Sequence, residues 1–136
     1  MQNIRIAETQ KVLEVSMSML SDSKFENGML EPLYFNDVNM SGTRIINANL
    51  SDLEIENAQM GGAWIHNIGM PPEGHPFYNP AVQQRPVRFD DCNFSNSTIH
   101  NCNLGSVAIT DCETIGMTIN SILVDDLLKQ YRHDHS

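Results

Sequence analysis

Three cysteines and a few histidines are the residues of this 136-residue chain best suited to chemistry. Cys92, Cys102 and Cys112 recur every ten residues. A thiolate is a nucleophile and a soft metal ligand, but a structural zinc site needs four converging ligands, usually Cys or His. No CxxC pair is present, and an odd number of cysteines fits a reducing compartment better than a disulfide framework. His66 and His100 each follow a large apolar residue, Ile65 and Ile99. Two histidines can hold a metal, yet no third ligand is apparent. His133 and His135 lie in the terminal tail. The side chains therefore read as carrying no catalytic, cofactor-binding or metal-binding residue, and the protein as a non-enzyme.

The elements that position these side chains are set by a period of five. From Leu20, steps of five reach Phe25, Leu30, Phe35, Met40, Ile45, Leu50, Ile55, Met60, Ile65 and Met70. After an interruption the beat resumes at Phe89 and runs through Phe94, Ile99, Leu104, Ile109, Thr114 and Ile119 to Val124. Such a period is neither the 3.6 of a helix nor the 2.0 of a simple strand. Two positions before each beat lies a mostly small or apolar residue, among them Ala48, Ala58, Cys92, Cys102 and Cys112. Alternation by two places both side chains on one side of the backbone, so both are expected to point inward, with the thiols buried and unreactive. Two positions after each beat come Asp37, Gly42, Asn47, Asp52, Asn57, Gly62 and Asn67, then Asp91, Asn96, Asn101, Ser106, Asp111, Gly116 and Ser121. Gly, Asn and Asp tolerate positive φ, so each pentad is expected to end in a corner.

Pentads such as Ala48-Asn49-Leu50-Ser51-Asp52 and Cys102-Asn103-Leu104-Gly105-Ser106 resemble the pentapeptide-repeat family. The resemblance covers roughly residues 18–70 and 87–124. It implies an all-β fold, a right-handed four-sided parallel β-helix with four pentads per coil. Recurrence at twenty residues agrees: Gly42 with Gly62, and Cys92 with Cys112. In that geometry consecutive cysteines occupy opposite walls, and His66 and His100 become stacked neighbours once a fourteen-residue insertion is removed.

The expected organisation is a single domain over residues 1–136. Residues 1–17, with Ile6, Val12, Leu13 and Val15, form a first coil or cap; 18–72 and 87–124 form coils; 73–86 is an inserted loop; and 125–136 is a C-terminal cap and tail. Five prolines between Pro71 and Pro86 forbid ladder hydrogen bonds, so Glu73 to Pro86 is expected to leave the coil. Its Phe77 and Tyr78 either pack on the coil wall or meet a partner. Val124 to Arg132 reads as a short helix capped by Asp125 or Asp126, with Leu127, Leu128 and Tyr131 on one stripe. That stripe would cover the open end of the solenoid, because exposed strand edges invite association. As some members of the family do, it could instead form a homodimer contact.

The net charge of −9, from 17 acids and 8 bases, argues against direct nucleic-acid binding and admits a basic partner. No targeting signal is visible in Met1 to Leu20, and no run approaches the roughly 20 apolar residues of a membrane span. A cytoplasmic protein is expected. On the four-walled fold, one wall gathers Asp37, Glu54, Glu56, Asp90, Asp91 and Asp111 against the single base Arg88. Some pentapeptide-repeat proteins resemble duplex DNA in this way and bind bacterial DNA gyrase. The sequence thus leaves three functions open: a rigid binding or structural module of unknown partner, an acidic DNA mimic directed at gyrase or another DNA-binding protein, and an enzyme using the Pro-rich loop.

Overall fold

The computed structural model describes residues 14, 15, 18, 20, 22–26, 28–30 and 32–136. The chain divides into two units, Met1–Gly62 and Ala63–Ser136. Ile6, Val12 and Leu13 of the expected N-terminal cap lie outside the described residues.

The corners form where the residue types demand them. All fourteen corner positions named above, from Asp37 to Ser121, have positive φ. All but Ser121 fall into two classes that alternate along the chain. At Asp37, Asn47, Asn57, Asn67, Asp91, Asn101 and Asp111, φ lies between 51° and 54°. These are left-handed bends, and Asn and Asp are the non-glycine residues best suited to that region. At Gly42, Asp52, Gly62, Asn96, Ser106 and Gly116, φ is larger, 61° to 78°.

Five of this second class are closed by a hydrogen bond from residue i+3 to residue i. Thr43 N–H donates to the Met40 carbonyl at 3.1 Å, Leu53 to Leu50, Ser97 to Phe94, Val107 to Leu104 and Met117 to Thr114. Positive φ at i+2 but not at i+1 makes these type II turns, the geometry that favours Gly or Asn at i+2.

The four-sided β-helix is not what the pentads build. Among the described residues none is buried. The beat residues are exposed, from Met40 and Met70 at 41% to Ile99 at 73%, except Thr114 and Val124, which are half-buried. The strands among the described residues are two pairs of residues, β1 (Thr118–Ile119) and β2 (Ile122–Leu123), and they run antiparallel. The physical reason lies in the range of the interactions. A corner satisfies its backbone groups within four residues. A pentad, however, can bury its inward pair only against a pentad one coil away, and each coil needs a ladder to hold it. Turn closure thus proceeds without coil closure. Cys92, Cys102 and Cys112, expected in an apolar interior, are exposed for the same reason.

The C-terminal end is organised differently. Asn120 and Ser121 both have positive φ, 47° and 68°, which makes a type I′ turn joining β1 to β2. Ile119 faces Ile122 and Thr118 faces Leu123, while Val124 N–H reaches the Met117 carbonyl at 3.0 Å. The expected corner at Ser121 is therefore half of a hairpin turn. Helix α1 (Val124–Asp134) follows directly. Its N-cap is Leu123, without a side-chain cap, so Asp125 and Asp126 act inside the first turn, where negative charge favours the helix dipole. Leu127, Leu128 and Tyr131 remain exposed and cover no solenoid opening.

The Pro-rich segment is a run of reverse turns. His75 N–H donates to Pro72, Tyr78 to His75 and Val82 to Asn79. Gly74, at φ 89°, supplies the positive φ of the first turn; Pro76 and Pro80 occupy the i+1 position of the next two. Phe77 is 81% exposed, so it does not pack on a wall.

Candidate functional site

Four of the five type II turns are built around a side-chain acceptor one residue before the beat. Asn39 Oδ1 accepts from Ser41 N–H at 2.9 Å and from the Ser41 hydroxyl at 2.5 Å. Asn49 accepts from Ser51 N–H at 3.1 Å, Asn93 from Ser95 N–H at 2.9 Å and Asn103 from Gly105 N–H at 2.9 Å. These are Asx turns, in which a carboxamide imitates a backbone carbonyl. In the Pro-rich segment Asn79 does the same for Ala81 N–H at 3.0 Å. The signal was present in the sequence as Asn before the beat and Ser or Gly after it, at ten-residue spacing.

Three of the four left-handed bends in the second unit have their own side-chain brace. The thiol of Cys92 donates to the Asp90 carbonyl at 3.2 Å, that of Cys102 to His100 at 3.3 Å and that of Cys112 to Thr110 at 3.1 Å. Each spans one bend, at Asp91, Asn101 and Asp111. Such S–H donors are weak, so they support the bend rather than define it.

Along the sequence of each unit the beat residues form a row of exposed apolar side chains, Thr114 and Val124 excepted. Phe89 and Phe94 meet edge to face, with centroids 5.2 Å apart. Contact across one corner is thus available to neighbouring beats when both are large.

Of the expected acidic wall, Asp37, Asp91 and Asp111 are bend corners, and Glu54 and Glu56 are exposed. Asp90 accepts from Arg88 Nε at 2.9 Å and forms an exposed ion pair with its guanidinium. A wall required pentads twenty residues apart to stack, and the described residues build no such coil. His66 stacks on Trp64 with centroids 3.8 Å apart and approaches Asn67 Nδ2 at 3.2 Å. Its neighbours are thus local. Among the described residues no group of three or more His, Cys, Asp or Glu could hold a metal ion.

Tyr78 follows the exposed Phe77, whose ring lies 5.8 Å from that of His75. On α1, Tyr131 stacks on His135 at 4.1 Å, Gln130 bonds Asp134, and Lys129 pairs with Asp126 at 3.8 Å. No helix among the described residues is long and apolar enough to cross a membrane. Compared with models of known families, with curated proteins and with solved structures, the chain matches none.

Proposed function

We propose that this chain is a non-enzymatic, cytoplasmic binding module of pentapeptide-repeat sequence. Its contact surface is the row of beat side chains, and its partner is another protein. The observation that carries this is the row itself: large apolar residues at five-residue intervals over 35–65 and 89–109, exposed and each followed two residues later by a positive-φ corner. Scattered exposed apolar residues are ordinary, but a regular series of them within a unit supports an interaction surface. The net charge of −9 selects a partner whose apolar surface is rimmed by basic groups. Three thiols without a disulfide support a reducing compartment. The exposed stripe Leu127, Leu128 and Tyr131 on α1 offers a separate apolar surface, which would serve a second copy of the chain.

The test compares the natural chain with one carrying Ile99→Ser, Leu104→Ser and Ile109→Ser. The corners of this variant keep their residues. A protein captured by the natural chain should be lost from the variant, and an apolar fluorescent dye should bind the variant more weakly. Capture that survives all three substitutions would remove the row as the contact surface.

A further inference from the structure

Three of the four Asx turns of the pentads carry a further chemical pattern. Asn39-Met40-Ser41, Asn49-Leu50-Ser51 and Asn93-Phe94-Ser95 are each Asn-x-Ser with a residue other than proline between. This is the acceptor pattern for N-linked sugar, and it is usable only on an exposed turn. All three asparagines are exposed. In each the Oδ1 is turned back onto the main-chain N–H of the serine, and at Asn39 the serine hydroxyl also donates to Oδ1. These bonds use Oδ1 and not Nδ2. We propose that Asn39, Asn49 and Asn93 are N-glycosylation acceptors, modified by a transferase that uses a nucleoside diphosphate hexose.

The geometry supplies what the chemistry needs. An amide nitrogen is a poor nucleophile because its lone pair is shared with the carbonyl. Hydrogen bonds to Oδ1 stabilise the form in which electron density sits on oxygen and a proton is more easily removed from Nδ2. In the transfer a bond forms between Nδ2 and the sugar C1. The bond from C1 to the diphosphate oxygen breaks, and its electron pair leaves with the nucleoside diphosphate. One Nδ2 proton passes to a base of the transferase. A nucleotide-linked donor is chosen over a lipid-linked one because the free thiols fit a reducing compartment. Sugar transfer to these turns does not depend on what the row of beat residues binds.

Two neighbouring asparagines make the proposal sharper than the motif. Asn103 lies in the same Asx turn, but Gly105 supplies no hydroxyl. Asn96-Ser97-Thr98 has the motif, but Asn96 is itself the positive-φ corner of a turn and not its side-chain acceptor. The full chain is incubated with a soluble sequon-specific transferase and a nucleoside diphosphate hexose, and sites are mapped by peptide mass spectrometry. Asn39, Asn49 and Asn93 should each gain one hexose and Asn103 none. Asn96 should react about fivefold more slowly, the factor one net hydrogen bond is worth. Ser51→Ala should abolish modification at Asn49 and Ser51→Thr should restore it. No hexose at any of the three, while a short Asn-x-Ser peptide reacts in the same tube, would overturn the proposal. Equal rates at Asn96 and Asn49 would overturn the role of the turn. Modification only with a lipid-linked donor would overturn the choice of donor.

Discussion

The pentads and the C-terminal hairpin obey the same local rules and reach different ends. Both reverse the chain at residues with positive φ. In the pentads, one such residue per corner redirects the backbone, and the closing hydrogen bond spans four residues. At the C-terminus, two such residues in succession, Asn120 and Ser121, fold the chain back on itself, so that Val124 reaches Met117. There alone in Ala63–Ser136, apart from Pro71, do described side chains become half-buried: Thr114, Met117 and Val124. Corners give direction, and only a reversal tight enough to meet itself gives burial. A two-residue loop meets itself at little entropic cost, whereas a coil of four pentads must close over about twenty residues before any contact offsets that cost.

The strongest way to break this contrast is at the hairpin. Asn120→Val puts a β-branched residue at φ 47°, where the strain is about 1–2 kcal/mol. An isolated helix of 11 residues is marginal in water, so α1 should lose most of its signal at 222 nm together with protection of the Val124 amide. Asn120→Gly should keep both. Retention of full helicity in the valine variant would show that α1 stands without the hairpin.

A smaller effect is expected at a single pentad corner. A Cβ at Gly42 meets nothing within 4 Å, so the cost of Gly42→Val is conformational, about 1–2 kcal/mol at φ 74°. The Thr43 amide should lose its protection from hydrogen exchange, while the Leu53 amide at the next turn keeps its own. Loss of protection at both would reveal coupling between corners.

The smallest effect belongs to the side-chain acceptor. Asn49→Ala removes the partner of the Ser51 amide, an exposed bond worth about 0.5–1 kcal/mol. Exchange at Ser51 should quicken severalfold, and φ at Asp52, read from its scalar coupling, should stay positive. A switch of Asp52 to negative φ would make the asparagine, and not the type II turn, the source of the corner.

The corners were legible in the sequence because they rest on single residues. Asp37, Gly42, Asn47 and the rest each carry their own steric reason for positive φ, and no distant part of the chain is needed to read it. Val124 to Arg132 was legible as a helix for a similar reason, although Leu123 and not an aspartate stands at its N-cap. The β-helix is what the family resemblance implies, and it requires beat residues such as Ile45, Leu50 and Leu104 to stack. Stacking is a property of pairs far apart in the chain, and periodicity records only that such pairs are compatible. The hairpin was hidden because Ser121 fits the five-residue series as well as it fits a type I′ turn. The candidate site was the least legible part. The acidic residues and the His66/His100 pair were grouped by a winding that the described residues do not form, whereas the Asx acceptors follow from three adjacent residues.

The alternation of bend and turn makes ten residues, not five, the smallest length that can be copied without changing any conformation. One inserted pentad would set two corners of the same kind side by side and break the alternation at that point. The natural interruption respects this: Asn67 and Asp91 are both bends, separated by one full decad and the fourteen extra residues. A lineage that lengthens this chain is thus expected to grow by duplicating decads, and an engineer extending it should add Asn-Leu-Ser-Asp units in pairs of pentads.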